Sequence, residues 1–132
     1  MDEQTSAEQK KHILVVDDSE DIRVLLGQLL EKAGYRVVLA EDGQASLTQA
    51  KLYHPDLILM DLSLPDIDGW EAVGLLRKMP EFWSTPIIAV TAHVVPFDEE
   101  RAMAVGCTAH IGKPFNNKVL LQRIADLLKD GK

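Results

Sequence analysis

Ile13-Leu14-Val15-Val16-Asp17-Asp18 is the stretch on which the fold turns. Branched apolar residues follow one another without alternation, and two carboxylates close the run. A strand with one wet face alternates apolar and polar side chains; a strand covered on both faces has no need to. The run therefore reads as a buried strand of a parallel sheet. Comparable short runs lie at Val37–Ala40, Leu57–Met60 and Ile87–Val90, with a weaker one at Thr108–Ile111.

Helical patterns separate these runs. Ile22, Leu25, Leu26, Leu29, Leu30 and Ala33 form one apolar stripe, with Ser19 as N-cap, Glu20 and Asp21 in the first turn and Gly34 at C′. A second helix is expected from Gly43 to Tyr53, ended by Pro55. A third follows Asp68-Gly69, with Trp70, Val73 and Leu76 on one face. A short fourth starts near Asp98 and stops at Gly106. A fifth starts after Asn116 and carries Leu120, Ile124, Leu127 and Leu128. Strand and helix thus alternate five times. The expected fold is α/β: a doubly wound parallel sheet with right-handed crossovers and helices on both faces.

The chain has 132 residues, 46% hydrophobic and 27% charged, which suits one domain with a real core. Residues 1–11 read as a flexible polar tail and 12–130 as the domain, with no output domain expected. One cysteine, Cys107, excludes a disulfide framework and a thiolate zinc cluster, and reads as a small buried residue. Lys and Arg number 14 against 21 Asp and Glu, a net charge of −7. That balance disfavours nucleic acid and anionic membrane as partners. The reading is of a soluble, cytoplasmic protein. Phe82-Trp83, before the fourth strand, is either a loop anchor or an exposed patch; His12 and His54 look incidental.

In open α/β sheets ligands bind beyond the C-terminal strand ends, where the strand order switches. Those ends carry Asp17-Asp18, Asp61, Thr91-Ala92 and Lys113-Pro114. Grouped carboxylates repel one another unless a cation sits among them. Oxygen donors without His or Cys suit Mg²⁺ rather than zinc. Lys113 and Thr91 are left to hold the oxygens of an added anion. Taken singly, Asp17-Asp18 reads equally well as a helix N-cap, and Thr91 or Lys113 as ordinary surface. Asp61 is harder to dismiss, because a charge ending a buried strand is costly without a partner.

Val15-Val16-Asp17-Asp18-Ser19, Leu59 to Pro65 around Asp61, Asp68-Gly69, Val90-Thr91-Ala92 and Lys113-Pro114-Phe115 together resemble the receiver domain of two-component response regulators. This is the CheY-like superfamily, and the chain leans toward its DivK-like single-domain members. The resemblance spans roughly residues 12–130. It implies a flavodoxin-like five-stranded sheet, order 2-1-3-4-5, with five helices. It implies that Asp61 is the phospho-acceptor, taking a phosphoryl group from a sensor histidine kinase or a phosphotransfer protein with Mg²⁺ as cofactor. Asp18, Asp61 and the Ser63 carbonyl would hold the metal, with Asp17 acting through water. Thr91, the Ala92 N–H and Lys113 would hold the phosphoryl group.

The resemblance also implies a switch, in which Thr91 and a residue of the fifth strand move together. Here that residue is His110 instead of the usual Tyr or Phe. Ser63 and His93 would tune the lifetime of the acyl phosphate. A downstream protein would read the fifth strand and the fourth and fifth helices. Such a domain is a switch rather than a turnover enzyme. A phosphorelay intermediate and a receiver piece of a hybrid histidine kinase are alternatives. An aspartyl-nucleophile phosphatase is more distant, since Asp61-Leu62-Ser63 lacks its second acid. A flavodoxin-like cofactor binder would need a small-residue phosphate loop where Asp17-Asp18 stands. A non-phosphorylated adaptor would not need the full acidic set.

Overall fold

A computed structural model describes residues 10–62, 69–91 and 96–130, with the side chains of 91, 96–99 and 130 left out. The strands are β1 (His12–Val16), β2 (Arg36–Ala40), β3 (Leu57–Asp61), β4 (Ile87–Thr91) and β5 (Ala109–Gly112). The helices are α1 (Glu20–Lys32), α2 (Gly43–Tyr53), α3 (Gly69–Arg77), α4 (Pro96–Val105) and α5 (Asn117–Asp130), with a 3₁₀ turn at Pro80–Phe82. All strands pair in parallel, in the order β2-β1-β3-β4-β5. The chain steps from β1 to β2 on one side, then returns past β1 to β3. The switch point is therefore between β1 and β3.

Both sheet faces are covered, which is why the central strands do not alternate. Ile13, Val15, Leu57, Leu59, Ile88 and Val90 pack on Leu26 and Leu30 of α1 and on Leu120 and Ile124 of α5. Their neighbours Leu14, Val16, Ile58, Met60, Ile87 and Ala89 pack on α2, α3 and Ala102 of α4. Two faces mean two apolar sets with period two. β2 departs from the expectation of full burial: Arg36 and Leu39 are exposed, because β2 is an edge strand.

The helix ends follow local chemistry. Ser19 Oγ accepts the Ile22 N–H at 3.3 Å, and Gly34 takes φ +102° just past α1. Asp42 caps α2 by accepting from Ala45 N–H at 2.8 Å. Asn116 Oδ1 accepts from Lys118 and Val119 N–H at 2.8 and 3.2 Å and opens α5. α4 begins at Pro96, two residues before the expected Asp98. Proline fits there because a first-turn N–H has no helical partner to lose.

Two further expectations need correction, and one left open is resolved. Leu25 of the apolar stripe is 53% exposed, and Ala33 is also outside. The sheet covers a narrower arc of α1 than the stripe spans, so only Leu26 and Leu30 are fully buried there. Thr108 is not in β5, which runs from Ala109. Its hydroxyl instead accepts the Ile87 N–H at 3.0 Å while its own N–H donates to Ile87 O at 2.8 Å. Phe82 and Trp83 divide the two roles offered for them: Phe82 is buried and stacks on His54, whereas Trp83 is 66% exposed.

Arg77, unremarked in the sequence, ties these loops together. Its guanidinium donates to Gly106 O at 2.9 Å, to Phe82 O, and to Thr108 Oγ1 at 3.4 Å. Burial lowers its pKa, and the neighbouring Cys107 opposes that. Gly106 combines φ +122° with a position where a Cβ would meet Arg77 Cγ at 2.7 Å. Trp70 packs against the α3 side of the core and lies under Arg101 of α4, 4.2 Å from guanidinium carbon to ring centroid. Among the described residues no helix is long and apolar enough to cross a membrane.

Two outcomes follow from this packing. Leu30→Ala is expected to cost about 2–5 kcal/mol in denaturant unfolding, and Leu25→Ala within about 0.5 kcal/mol of nothing. Burial pushes the Cys107 thiol up to about 11, so a thiol reagent at pH 8 should label it only after unfolding. Rapid labelling of native protein would contradict the buried placement.

Candidate functional site

Asp17 follows β1, and Asp61 ends β3, so both carboxylates fall at the switch point. Both are buried, at 2% and 3% exposure, while Asp18 beside them is exposed. One carboxylate oxygen from each of the three lies within 4.8 Å of the others.

The cation that permits this burial comes from the far side of the sheet. Lys113 follows β5 and reaches past the end of β4. Its Nζ donates to Asp17 Oδ2 at 3.0 Å and to Asp61 Oδ2 at 3.3 Å. Burial lowers its pKa, but the bonds and charges of Asp17 and Asp61 outweigh that and leave it raised. The ammonium is therefore charged and shared. The Lys113-Pro114 peptide bond is cis.

The turn after β1 answers the question left open for the acidic pair. Ser19, not either aspartate, is the N-cap of α1. Asp17 Oδ1 accepts the Ser19 N–H at 2.9 Å, which folds the chain back into the helix. Asp18 is thereby left facing out, with its carboxylate in the cluster. This donor set passes a chemical test for a hard divalent cation: it is all oxygen, partly open to solvent, and partly neutralised by one lysine.

Gly69 brings the start of α3 against the end of β3. A Cβ there would run into the Asp61 carbonyl and the Leu62 backbone. Only glycine allows this approach, so Asp68-Gly69 carries a steric message beside the acidic one.

Thr91 ends β4, and its backbone pairs with Gly112, one residue before Lys113. That register places β4's end beside the lysine. His110 pairs with Ala89 and is half-buried, and its carbonyl accepts from Arg123 Nη1 of α5 at 3.1 Å. Ser63, Ala92 and His93 lie outside the described residues, as do Asp68 and the polar tail up to residue 9. The structure thus brings together Asp17, Asp18, Asp61 and Lys113. It adds Arg23, which the sequence reading passed over: its Nη1 donates to the Asp17 carbonyl at 2.7 Å. The two stand six positions apart, a spacing with no special meaning until the turn is formed.

Comparison with known proteins agrees with this geometry. Residues 13–125 match the response regulator receiver domain. The polar-differentiation response regulator DivK of Brucella ovis is 38% identical over 120 residues, 91% of this chain and 98% of that protein. The chemotaxis response regulator CheY4 of Vibrio cholerae superposes with a TM-score of 0.86 at 34% identity, covering 90% of this chain and 99% of that one. The signal receiver domain of a histidine kinase from Syntrophus aciditrophicus superposes with a TM-score of 0.84 at 30% identity, covering 91% of each. An acidic pocket at the switch point, a lysine shared across it and this sheet order go with that similarity: the chain belongs to the response regulator receiver family of two-component signalling.

Proposed function

We propose that Asp61 accepts a phosphoryl group from a phosphohistidine of a sensor kinase or phosphotransfer protein. One observation carries the reading: a buried carboxylate at the switch point with an ammonium 3.3 Å from it and two more carboxylates alongside. An Asp61 oxygen forms the new bond to phosphorus, the phosphorus–nitrogen bond breaks, and the imidazole leaves with a proton. The product is an acyl phosphate, a case of nucleophilic catalysis by a carboxylate.

Asp18, Asp61 and the Ser63 carbonyl would hold Mg²⁺, with Asp17 acting through water. Bound there, the ion supplies positive charge against the transferring phosphoryl oxygens. The chain's own residues do the rest. Lys113 moves its ammonium from the Asp61 oxygen to a phosphoryl oxygen and keeps Asp17 as its second partner. Thr91 and the Ala92 N–H complete the phosphoryl cradle from the end of β4. Burial of Asp61 keeps bulk water from the acyl phosphate, and Ser63 and His93 would tune its lifetime.

Output follows from the movement of Lys113 and Thr91, which sit at adjacent ends of β5 and β4. His110 turns inward as Thr91 moves, and β5, α4 and α5 present a changed face to a downstream protein. The domain works in the cytoplasm, carrying one phosphoryl group at a time, as a switch and not as a turnover enzyme.

Incubation with Mg²⁺ and acetyl phosphate should add one phosphoryl group, stable to acid, labile to base and lost in Asp61→Asn. Intact-mass spectrometry reads it directly, and wild-type protein that stays unmodified with Mg²⁺ present would sink the reading. In EDTA, Asp18→Asn should melt above wild type, since it relieves repulsion among carboxylates. Lys113→Met should lose about 3 kcal/mol, because it leaves buried carboxylates without their cation.

A further inference from the structure

Asp17 is held at every polar atom it offers. Its N–H donates to the Ala40 carbonyl of β2 at 3.1 Å. Its Oδ1 accepts from Ser19 N–H at 2.9 Å, and its Oδ2 from Lys113 Nζ at 3.0 Å. Its main-chain carbonyl accepts from Arg23 Nη1 at 2.7 Å, the shortest of the four. Arg23 stands on the first turns of α1 and is half-buried there.

The Asp17 carbonyl belongs to the peptide plane that joins Asp17 to Asp18. A peptide is planar, so fixing the direction of its C=O fixes where the next Cα leaves. Asp18 is exposed and lacks the packing that immobilises Asp17 and Asp61. Its carboxylate nonetheless belongs to the cluster within 4.8 Å. The grip of Arg23 supplies orientation that packing does not. It takes no carboxylate oxygen from the cluster, because the bond goes to a main-chain carbonyl. A guanidinium donor makes the bond a charge-assisted one.

We propose that Arg23 is a positioning residue for divalent-cation binding: by holding the Asp17 carbonyl, it aims Asp18 at the cluster formed with Asp17 and Asp61. The proposal rests on the metal-binding, phospho-accepting reading of that cluster. Arg23 does not touch the cation or the phosphoryl group; it acts through the turn.

The test is direct titration of the unphosphorylated protein with MgCl₂ by calorimetry, for wild type, Arg23→Ala, Arg23→Gln and Arg23→Lys. Arg23→Ala should weaken Mg²⁺ binding about fivefold or more, as expected for loss of one charge-assisted bond. Arg23→Lys keeps a charged donor and should recover affinity to within about threefold of wild type. Melting temperatures in EDTA are read alongside. A brace for the fold and nothing more would lower the melting temperature of Arg23→Ala while leaving Mg²⁺ affinity within about twofold, and that overturns the proposal. Should Arg23→Ala fail to fold, Arg23→Gln against Arg23→Lys carries the same comparison: equal affinities overturn the proposal, weaker binding by the glutamine variant supports it. Wild type that binds no Mg²⁺ overturns the reading of the cluster itself. Wild type that binds Mg²⁺ no better than its Arg23 variants overturns only the role of Arg23.

Discussion

Two carboxylates buried side by side cannot both stay charged without a cation, and here the cation is Lys113. Its Nζ lies 3.0 Å from Asp17 and 3.3 Å from Asp61, whose side chains are 3% and 4% exposed. The rest of the structure is arranged around that constraint. β5 is an edge strand, separated from β3 by β4. The lysine must therefore leave β5 at its C-terminal end and cross the end of β4 to reach the acids. The pairings span 96 and 52 positions in sequence. They close only when β1, β3 and β5 are all in register, which makes the charged site a report on the completed sheet.

A site held this way is poised between two sets of partners. Without an added anion, the ammonium is satisfied by carboxylates. A phosphoryl group on Asp61, as proposed above, would offer it a second kind of partner. On the phospho-acceptor reading proposed above, the same side chain would exchange one carboxylate partner for the phosphoryl group while keeping the other. Beyond β5, Arg123 of α5 donates to the His110 carbonyl at 3.1 Å. Gly69 adds rigidity from the other side, since α3 begins against the backbone of Asp61 and cannot slide inward or carry a side chain there.

Much of this was legible in the residues. Non-alternating runs mark strands covered on both faces, and the two apolar sets of β1, β3 and β4 divide between the two helical layers as that argument requires. Ser19 and Gly34 mark the ends of α1 because caps depend on neighbours a few residues away. The acids and the lysine were legible as strand-end residues once the sheet order was expected. Leu25 was misjudged because periodicity tells which side of a helix is apolar, not how wide a strip the sheet will cover. Thr108 was misjudged because a hydroxyl that replaces a ladder bond has the same β-branched appearance as one that extends the ladder.

Local chemistry along the chain determined the elements, their order and the residue types at the strand ends, because those depend on interactions over a few positions. The partnerships of long, flexible cations were decided only by tertiary structure. Arg77 joins α3 to the 3₁₀ turn and to the loop before β5, and Arg23 reaches back to the Asp17 carbonyl. A guanidinium on a flexible stem can reach many acceptors, and the sequence marks none of them. Which carbonyl it finds depends on where the packed backbone brings one within reach.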